Sequence, residues 1–368
     1  MKNITDFTLM DQLDELADFE PNGFPFISLY LNMQPDQHGR DNFESFVRKE
    51  FNAKAKSFPA ESLELASFER DTLRIRAYLR DEVRPSSNGL AIFACAGADG
   101  YFNAVQLDAP IQRHRLHVDE RPHLYPLARL IDQHPRYAAL LVDTNSARLF
   151  VFGLGKTLVN EETQNIKVSR TQVGGWSQMR YQRHVENNHL HHAKEVVEML
   201  DRVVREEAVE HIILAGDQVI IPLLREQLPD RLKEKIIDIL RLDIRTPEHE
   251  VLKATMEALS EHNLHTDAEK VRRFLDEYRA GGLAVIGVTD TMKALEHGQV
   301  DELLISASPN EVRLEEDGET SPRDHNWSGL TIADSLITRA RQTGARVTFI
   351  EDAALLRSVG GVGAMLRY

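Results

Sequence analysis

The chain has 368 residues, of which 42% are hydrophobic and 28% are charged, and its formal net charge is −14. This length exceeds what one ordinary core can support and predicts two or three globular domains. The acidic balance excludes indiscriminate nucleic-acid binding, which needs a basic surface, but allows a few local basic patches. No run of about 18 apolar residues occurs, and the first residues lack the apolar core of a signal peptide, so we expect a cytoplasmic protein without a membrane contact. Cys95, the single cysteine, lies in an apolar run and is predicted to be a core thiol.

The first segment, residues 1–125, has the pattern of an α/β domain. Short apolar runs with period two alternate with longer helical patterns, and Gly, Ser and Asn separate them. The predicted strands and helices lie at 26–31, 41–58, 62–83, 90–95 and 101–107. The stretch 110–126 is rich in Arg, His and Pro and is interpreted as a linker.

The second segment, residues 126–279, is predicted to fold around a central sheet covered by helices. A polar arm, 160–173, precedes a double glycine and a long helix. The predicted strands are 137–143, 147–153 and 211–216, and the predicted helices are 177–207, 222–228 and 247–278.

The third segment, residues 280–368, begins at the double glycine Gly281-Gly282 and alternates strands with helices over short connections, which is typical of a layered α/β domain. Residues 310–327 are acidic and are predicted to form a surface loop. The predicted strands are 283–288, 303–306, 346–350 and 364–367, and the predicted helices are 291–297, 330–343 and 353–357.

The most informative motif opens the long helix of the second segment. Gly174 and Gly175 stand side by side and allow a close backbone approach to another molecule. Arg180 and Arg183 are three residues apart and share one helix face. A bare loop tip backed by two guanidinium groups suits a phosphate-rich partner such as tRNA or rRNA.

The charges around this motif support the same interpretation. Between Gln164 and Arg183 the chain carries Lys167, Arg170 and the two arginines of the motif, with no Asp or Glu among them. The acidic residues are concentrated elsewhere. This asymmetry predicts an RNA-facing loop on an otherwise acidic protein.

Three sequence motifs, in this order, resemble the archaeo-eukaryotic class-1 peptide chain release factors. The first is Gly174–Arg183, of the form G-G-x-S-x-x-R-x-x-R, which is similar to the family's GGQ loop. The second is 291–305, T-M-K-A-L-E-H-G-Q-V-D-E-L-L-I, and the third is the terminus 360–368, G-G-V-G-A-M-L-R-Y. The resemblance spans nearly the whole chain and indicates the bacterial branch of this superfamily, the Balon-like factors.

The resemblance implies a fold and a set of partners. It implies an RNase H-like middle domain and a last domain with the fold of kink-turn-binding ribosomal proteins. It also implies that the protein acts at the ribosomal A site, on rRNA and tRNA, with a translational GTPase as a further partner. No cofactor and no metal are expected.

The resemblance also implies roles for the residues of the loop. Gly174 and Gly175 would admit the backbone to the peptidyl-transferase centre, and Gln178 would position the water that hydrolyses peptidyl-tRNA. The RNA-binding residues would be Trp176, Ser177, Arg180, Arg183, Lys167 and Arg170.

Two departures from the family pattern keep a non-catalytic function open. Trp176 occupies the position of the family's catalytic Gln, and Gln178 follows two residues later. A displacement of about 1 Å can already cost on the order of 100-fold in rate. The first segment contains no NIKS-like tetrapeptide and no Y-x-C-x-x-x-F pattern. The alternative is therefore a hibernation factor that occupies idle ribosomes, in which Trp176 stacks on a base or holds its own loop.

Three further patterns have simpler interpretations. His184, His189, His191 and His192 lack the four-residue spacing of a helical zinc pair and are predicted to line a solvated or RNA-facing helix. Asp143 follows a buried strand, as the first acid of a tRNA nuclease of the RNase H type would, but a turn-forming Asp is the favoured interpretation. The glycines of 360–363 are predicted to form a tight turn before a final strand and not a dinucleotide site.

Overall fold

The computed structural model describes residues 9–34, 43–85, 87–107, 109–154, 156–164, 177–217, 219–313 and 329–368, and for 156, 164, 177–186, 329 and 330 it describes the backbone only. The chain divides into two compact units, Met1–Gln133 with Thr266–Tyr368, and His134–His265. Strands and helices are mixed in both, and the described residues form three sheets, which confirms the predicted α/β class. Within these ranges no helix combines the length and the apolar character needed to cross a bilayer.

An antiparallel sheet organises the N-terminal part of the first unit, with strand order β3-β2-β1-β4. One face carries the alternate apolar residues of β1 and β2, which pack against two helices, α2 and α3. The strands are β1 (Phe26–Asn32), β2 (Gly89–Cys95), β3 (Tyr101–Leu107) and β4 (Arg115–Asp119), and the helices are α1 (Leu9–Ala17), α2 (Phe43–Ala55), α3 (Leu63–Asp81) and α4 (Tyr125–Gln133). Cys95 is fully buried in β2, as predicted.

The linker predicted over 110–126 is wrong, because this stretch contains β4 and the start of α4. Leu116 and Val118 pack against the core that β1 and β2 form with α2 and α3, while the alternate positions carry Arg115 and His117. Two apolar residues are too few to produce a periodic signal. The backbone pairing with β1 defines this strand.

A second sheet organises the C-terminal part of the same unit, in the order β10-β13-β11-β12, and only β11 and β12 are parallel. The helix predicted from Thr291 starts earlier, at Gly287, whose φ of 73° lies in the left-handed region. The strands are β10 (Ala284–Ile286), β11 (Val300–Ser306), β12 (Arg346–Ile350) and β13 (Val362–Leu366), and the helices are α9 (Gly287–Glu296), α10 (Gly329–Gln342) and α11 (Ala353–Leu356). Most of the predicted acidic loop, residues 314–327, lies outside the described residues.

Helix α4 joins the N-terminal elements of the first unit to its C-terminal sheet. The carboxylate of Asp334 in α10 accepts hydrogen bonds from the backbone N–H groups of Leu124 and Tyr125, at 3.0 and 2.8 Å, and binds Nδ1 of His123. Arg129 forms an ion pair of 2.9 Å with Glu351. These contacts tie the two sheets of the unit together.

Asp71 is a buried carboxylate of α3 whose Oδ2 accepts a hydrogen bond of 2.8 Å from the backbone N–H of Ala96. Burial raises the pKa of Asp71 from 3.8 to about 6, although this hydrogen bond, Arg70 and Arg74 lower it. Because the folded protein holds this proton more tightly than the unfolded chain, the contribution to stability is complete below pH 4 and is lost as the pH rises through 6.

We expect Asp71→Asn to raise the free energy of unfolding at pH 7.5 by about 2 kcal/mol, because the amide keeps the acceptor and removes the buried charge. At pH 4 the variant and the parent should differ little. Urea denaturation at both pH values measures the difference. Asp81→Asn, at an exposed position of the same helix, is the control. An equal gain at both pH values would contradict the assignment.

The second unit contains a five-stranded sheet in the order β7-β6-β5-β8-β9, with β5, β8 and β9 parallel and β6 antiparallel to both of its neighbours. This order agrees with the RNase H-like topology that the resemblance implies. Helices α5 and α6 cover one face and the first part of α8 covers the other. The strands are β5 (Tyr137–Val142), β6 (Ser146–Gly153), β7 (Lys156–Gln164), β8 (His211–Gly216) and β9 (Ile236–Leu240), and the helices are α5 (Ser177–Glu206), α6 (Ile220–Gln227), α7 (Asp230–Lys233) and α8 (Glu248–Arg279).

The polar arm predicted from Asn160 is partly wrong, since residues up to Gln164 belong to β7. This strand is polar because it is the last strand of the sheet formed by the described residues, where one side of its backbone pairs with no other described strand and few side chains need to be buried. The remainder of the arm, 165–173, lies outside the described residues.

Candidate functional site

The segment 165–176 contains the double glycine, Trp176, Lys167 and Arg170, and it lies outside the described residues. The structure defines the two elements that flank it, β7 and α5. Gln164, the last residue of β7, pairs with Ser146 at the start of β6. The start of β6 lies beside the end of β5, because these two strands are antiparallel. The chain therefore leaves β7 at the end of the sheet where the parallel strands β5 and β8 also end.

Side chains hold β7 from both faces of the sheet. On one side, Glu161 forms an ion pair of 2.6 Å with Arg202 of α5, and the hydroxyl of Thr163 lies 3.4 Å from the sulfur of Met199. On the other side, the amide of Asn160 donates a hydrogen bond of 3.3 Å to Glu248 at the start of α8. The strand before the glycine segment is therefore held in place by both helices.

Helix α5 has a sheet-bound part and a leading part. Its described core residues run from Ala193 to Val204 and pack against β5, β6, β8 and α6. Ser177 lies 16 residues before Ala193, and at 1.5 Å per residue the start of the helix is ~24 Å further along the axis. The packed part of α5 thus fixes the direction of the helix, whereas the motif lies in the first turns of the helix.

The backbone of the motif residues is helical from Ser177 onward. Gln178 therefore lies in the first helical turn, and Arg180 and Arg183 lie three residues apart within the first two turns. The side chains of these four residues lie outside the described part. The N-terminus of a helix carries a partial positive charge, which favours an anionic group near this end.

The histidines of α5 do not form a metal site in the described part of the chain, where no group of three or more His, Cys, Asp and Glu side chains could hold an ion. The side chain of His184 lies outside that part. His192 is fully buried, and neither ring nitrogen has a hydrogen-bond partner among the described residues. The prediction that all four histidines face solvent or RNA is therefore wrong for His192, which lies on the core-facing side of the helix.

Asp143 forms a turn, in agreement with the favoured interpretation. Its Oδ1 accepts hydrogen bonds from the backbone N–H groups of Asn145 and Ser146, at 2.7 and 2.6 Å, and from the hydroxyl of Ser146 at 3.0 Å. At the end of the adjacent strand, Asp217 accepts a similar bond of 2.9 Å from the N–H of Val219. Both acids therefore shape the loops at this end of the sheet.

A cation that the sequence did not single out stabilises the loop after β9. Nη1 of Arg148 donates to the carbonyl oxygens of Ile244 and Thr246, at 3.0 and 2.9 Å, and its guanidinium carbon lies 4.8 Å from the ring centroid of Phe150. Its position on β6 is the only sequence cue, because its partners are backbone atoms about 100 residues away. This Arg supports the same edge of the sheet at which the glycine segment leaves.

The C-terminal glycines have structural functions. Gly360 and Gly361 have φ values of 72° and 79°, and a Cβ at Gly361 would overlap the backbone of Glu311. Gly363 lies so close to the ring of Phe274 that a Cβ would collide with it. The predicted tight turn before a final strand, β13, is confirmed.

Two family models match the chain. Bacterial archaeo-eukaryotic release factor family 10 matches residues 122–260, and eRF1 domain 3 matches residues 264–368. Peptide chain release factor subunit 1 of Thermoplasma acidophilum is 25% identical over 397 residues, covering 97% of this chain and 94% of its own. The Pelota homologue of Halobacterium salinarum is 32% identical over 181 residues, covering 46% of this chain and 48% of its own. Among solved structures, S. cerevisiae Dom34 covers 98% of this chain and 91% of its own at 12% identity and a TM-score of 0.45.

These matches fall into one class, the peptide chain release factors and the Pelota proteins. The chain belongs to the archaeo-eukaryotic release factor superfamily.

Proposed function

We propose that this protein binds the ribosomal A site and promotes the hydrolysis of peptidyl-tRNA on stalled ribosomes. The observation that carries the proposal is the similarity to a peptide chain release factor over 97% of the chain, together with a glycine pair directly before the helix that bears Arg180 and Arg183. Release factors act where the ester between the peptide and the tRNA is exposed. A protein with this function works in the cytoplasm, on rRNA and tRNA.

The residues of the segment 165–176 and of the first turns of α5 have different roles. Gly174 and Gly175 give the backbone access to the ester, and Gln178, in the first turn of α5, orients a water molecule. The water attacks the ester carbonyl, the tRNA oxygen leaves as a hydroxyl, and the peptide is freed as a carboxylic acid. Arg180, Arg183, Lys167 and Arg170 neutralise nearby phosphates, and the N-terminal end of α5 adds partial positive charge.

A second candidate function is occupancy of idle ribosomes without chemistry. It is favoured by one observation, the Trp at position 176 where the family has its catalytic Gln. An indole can stack on an rRNA base, and such stacking is worth about 1–3 kcal/mol. In this case Trp176 and the arginines bind the ribosome and Gln178 has no chemical function.

The two functions are separated by release of labelled peptide from ribosome-bound peptidyl-tRNA with an empty A site, with co-sedimentation measured on the same samples. For the hydrolase we expect Gln178→Ala to lower the release rate on the order of 100-fold with binding retained. Gln182→Ala, one turn further along α5, is the matched control and should retain release. Adding a translational GTPase with GTP tests whether such a partner accelerates delivery.

The other outcomes are also informative. Stable co-sedimentation without release, lost in Trp176→Ala, would leave the occupancy factor. A protein that neither binds nor releases would contradict both functions.

A further inference from the structure

The outer face of α3 is basic in an otherwise acidic protein. The inner face carries Phe68, Asp71 and Ile75, which are buried against the N-terminal sheet. The outer face carries four exposed arginines and two exposed leucines, which are 73% and 68% accessible, and a fifth exposed arginine follows the helix. The outer residues of the helix are Leu63, Arg70, Leu73, Arg74, Arg76 and Arg80, and Arg84 lies three residues beyond its end.

The arginines form two rows. Arg70 and Arg74 are one turn apart, and so are Arg76 and Arg80, a four-residue step of ~6 Å along the helix axis. Side chains at this spacing project from one face of a helix. Arg84 lies three residues beyond the last residue of the helix. Together the rows give an elongated strip of guanidinium groups, which we call the α3 arginine face.

Contacts with the sheet orient two of these arginines. The guanidinium carbon of Arg74 lies 4.2 Å from the ring centroid of Phe102, and its Nη1 donates to the carbonyl of Gly100 at 2.7 Å. Nε of Arg84 donates to the side-chain oxygen of Gln106 at 3.2 Å. Guanidinium groups held in this way lose less conformational entropy when they bind a ligand.

Acidic side chains neutralise only part of this face. The acids from residue 69 to residue 84 are Glu69, Asp71, Asp81 and Glu82, against five arginines. Asp71 is turned inward to the N–H of Ala96, and Asp81 pairs with Arg80 at 2.8 Å, where both side chains remain more than half exposed. An ion pair of this exposure contributes little and leaves the guanidinium able to exchange partners.

We propose that the α3 arginine face docks on the phosphate backbone of folded ribosomal RNA. The inference of ribosomal RNA as the source rests on the proposed function, whereas the recognition of phosphate rests on the charges themselves. Arg matches phosphate oxygens with two parallel N–H donors. Leu63 and Leu73 are the exposed large apolar residues of α3, and they lie ten residues apart, ~15 Å along the helix axis, which is too scattered for the continuous apolar surface of a protein groove.

The test is the triple variant Arg70→Gln, Arg76→Gln and Arg80→Gln, which keeps the two arginines that contact the sheet. The matched control, Arg272→Gln, Arg273→Gln and Arg279→Gln, removes the same charge from exposed positions of α8. Binding is measured over a series of KCl concentrations, to intact ribosomes by co-sedimentation and to protein-free ribosomal RNA by filter retention. We expect the test variant to lose about tenfold or more in affinity on both probes, and the slope of log K against log salt to fall by about 2 to 3 units. The control should remain within about twofold of the parent.

A Leu73→Ala variant separates RNA from an acidic protein partner. On RNA we expect a change of about twofold or less, because the leucine contacts no phosphate. A tenfold loss on ribosomes, with protein-free RNA unaffected by either variant, would identify a ribosomal protein as the partner and overturn the proposal. The triple variant binding both probes like its control would overturn it as well.

The outcomes also separate this inference from the proposed function. If the parent fails to bind ribosomes while the triple variant weakens binding to protein-free RNA, the arginine face stands and the proposed function fails. If release and ribosome binding persist in the triple variant, the proposed function stands and the arginine face fails.

Discussion

Replacing Gly216 by alanine is expected to destabilise the His134–His265 unit by about 3 kcal/mol or more. Gly216 ends β8 with a φ of 139°, a conformation that side-chain-bearing residues rarely adopt. A Cβ there would overlap the carbonyl oxygen of Val142 in the neighbouring strand β5. The backbone cannot move aside, because β5 and β8 are paired along their whole length and the N–H of Asp217 donates to the same oxygen at 3.1 Å.

Hydrogen exchange measures this effect locally, since unfolding of the whole chain need not be two-state. We expect faster exchange of amides in β5 and β8 in Gly216→Ala. Gly153→Ala is the control, because a Cβ there would lie 2.9 Å from the tip of the flexible Leu158 side chain and its φ is not left-handed. Equal losses in the two variants would contradict the argument.

The Gly216→Ala substitution is also expected to disturb the position of the segment 165–176. β5 and β8 end at the edge of the sheet from which residues 165–176 leave, beside the Asp143 turn. The Gly216→Ala protein should therefore lose peptide release or ribosome binding at temperatures where its first unit is still folded.

Acidification is expected to destabilise the first unit through His117. This ring is partly buried in β4 and lies 3.7 Å, centroid to centroid, from the ring of His123. Burial, with smaller contributions from the charges of His123, Arg115 and Lys54, lowers the pKa of His117 from 6.5 to about 3. Since the unfolded chain takes up this proton near pH 6.5 and the folded protein does not, stability is complete above 6.5 and falls as the pH drops toward 3.

The expected loss from this one group is roughly 2 kcal/mol between pH 6.5 and 4.5. His117→Phe keeps an aromatic ring and removes the titration, so its unfolding free energy should fall less over this interval than that of the parent. Urea denaturation at several pH values, monitored by far-UV circular dichroism, gives the unfolding free energy of each protein as a function of pH. His249→Gln, at a side chain that is 81% exposed, is the matched control for loss of one histidine. A slope that is the same in His117→Phe and the parent would contradict the assignment.

The parts of the fold that were predictable from sequence are those with strong local patterns. β1, β2, β5 and β8 are continuous apolar runs, and each was predicted to within about two residues. These strands are central, so both of their faces are buried and almost every position must be apolar. The long helices α3, α5 and α8 were predicted because each is a long run with helical periodicity that ends at glycine or a turn.

The parts that were not predictable are short or polar. β4, β7 and β9 lie at or near sheet edges, where backbone pairing stabilises the strand and the side chains carry little pattern. Helix α4 is held by Asp334 and Glu351, which lie more than 200 residues further along the chain. No local window contains those partners.

For the candidate site, the sequence by itself determined the motif: the double glycine, Gln178, the two arginines of α5 and the absence of acid from Gln164 to Arg183. These features lie within one short stretch of sequence, and they form the first of the three motifs on which the resemblance to release factors rests. Only the tertiary structure decided how the flanking elements are held, through Glu161 with Arg202 and Asn160 with Glu248, and that the turn acid Asp143 lies beside Asp217. The physical reason is that each of these contacts joins residues brought together only when the sheet pairs and the helices pack on it.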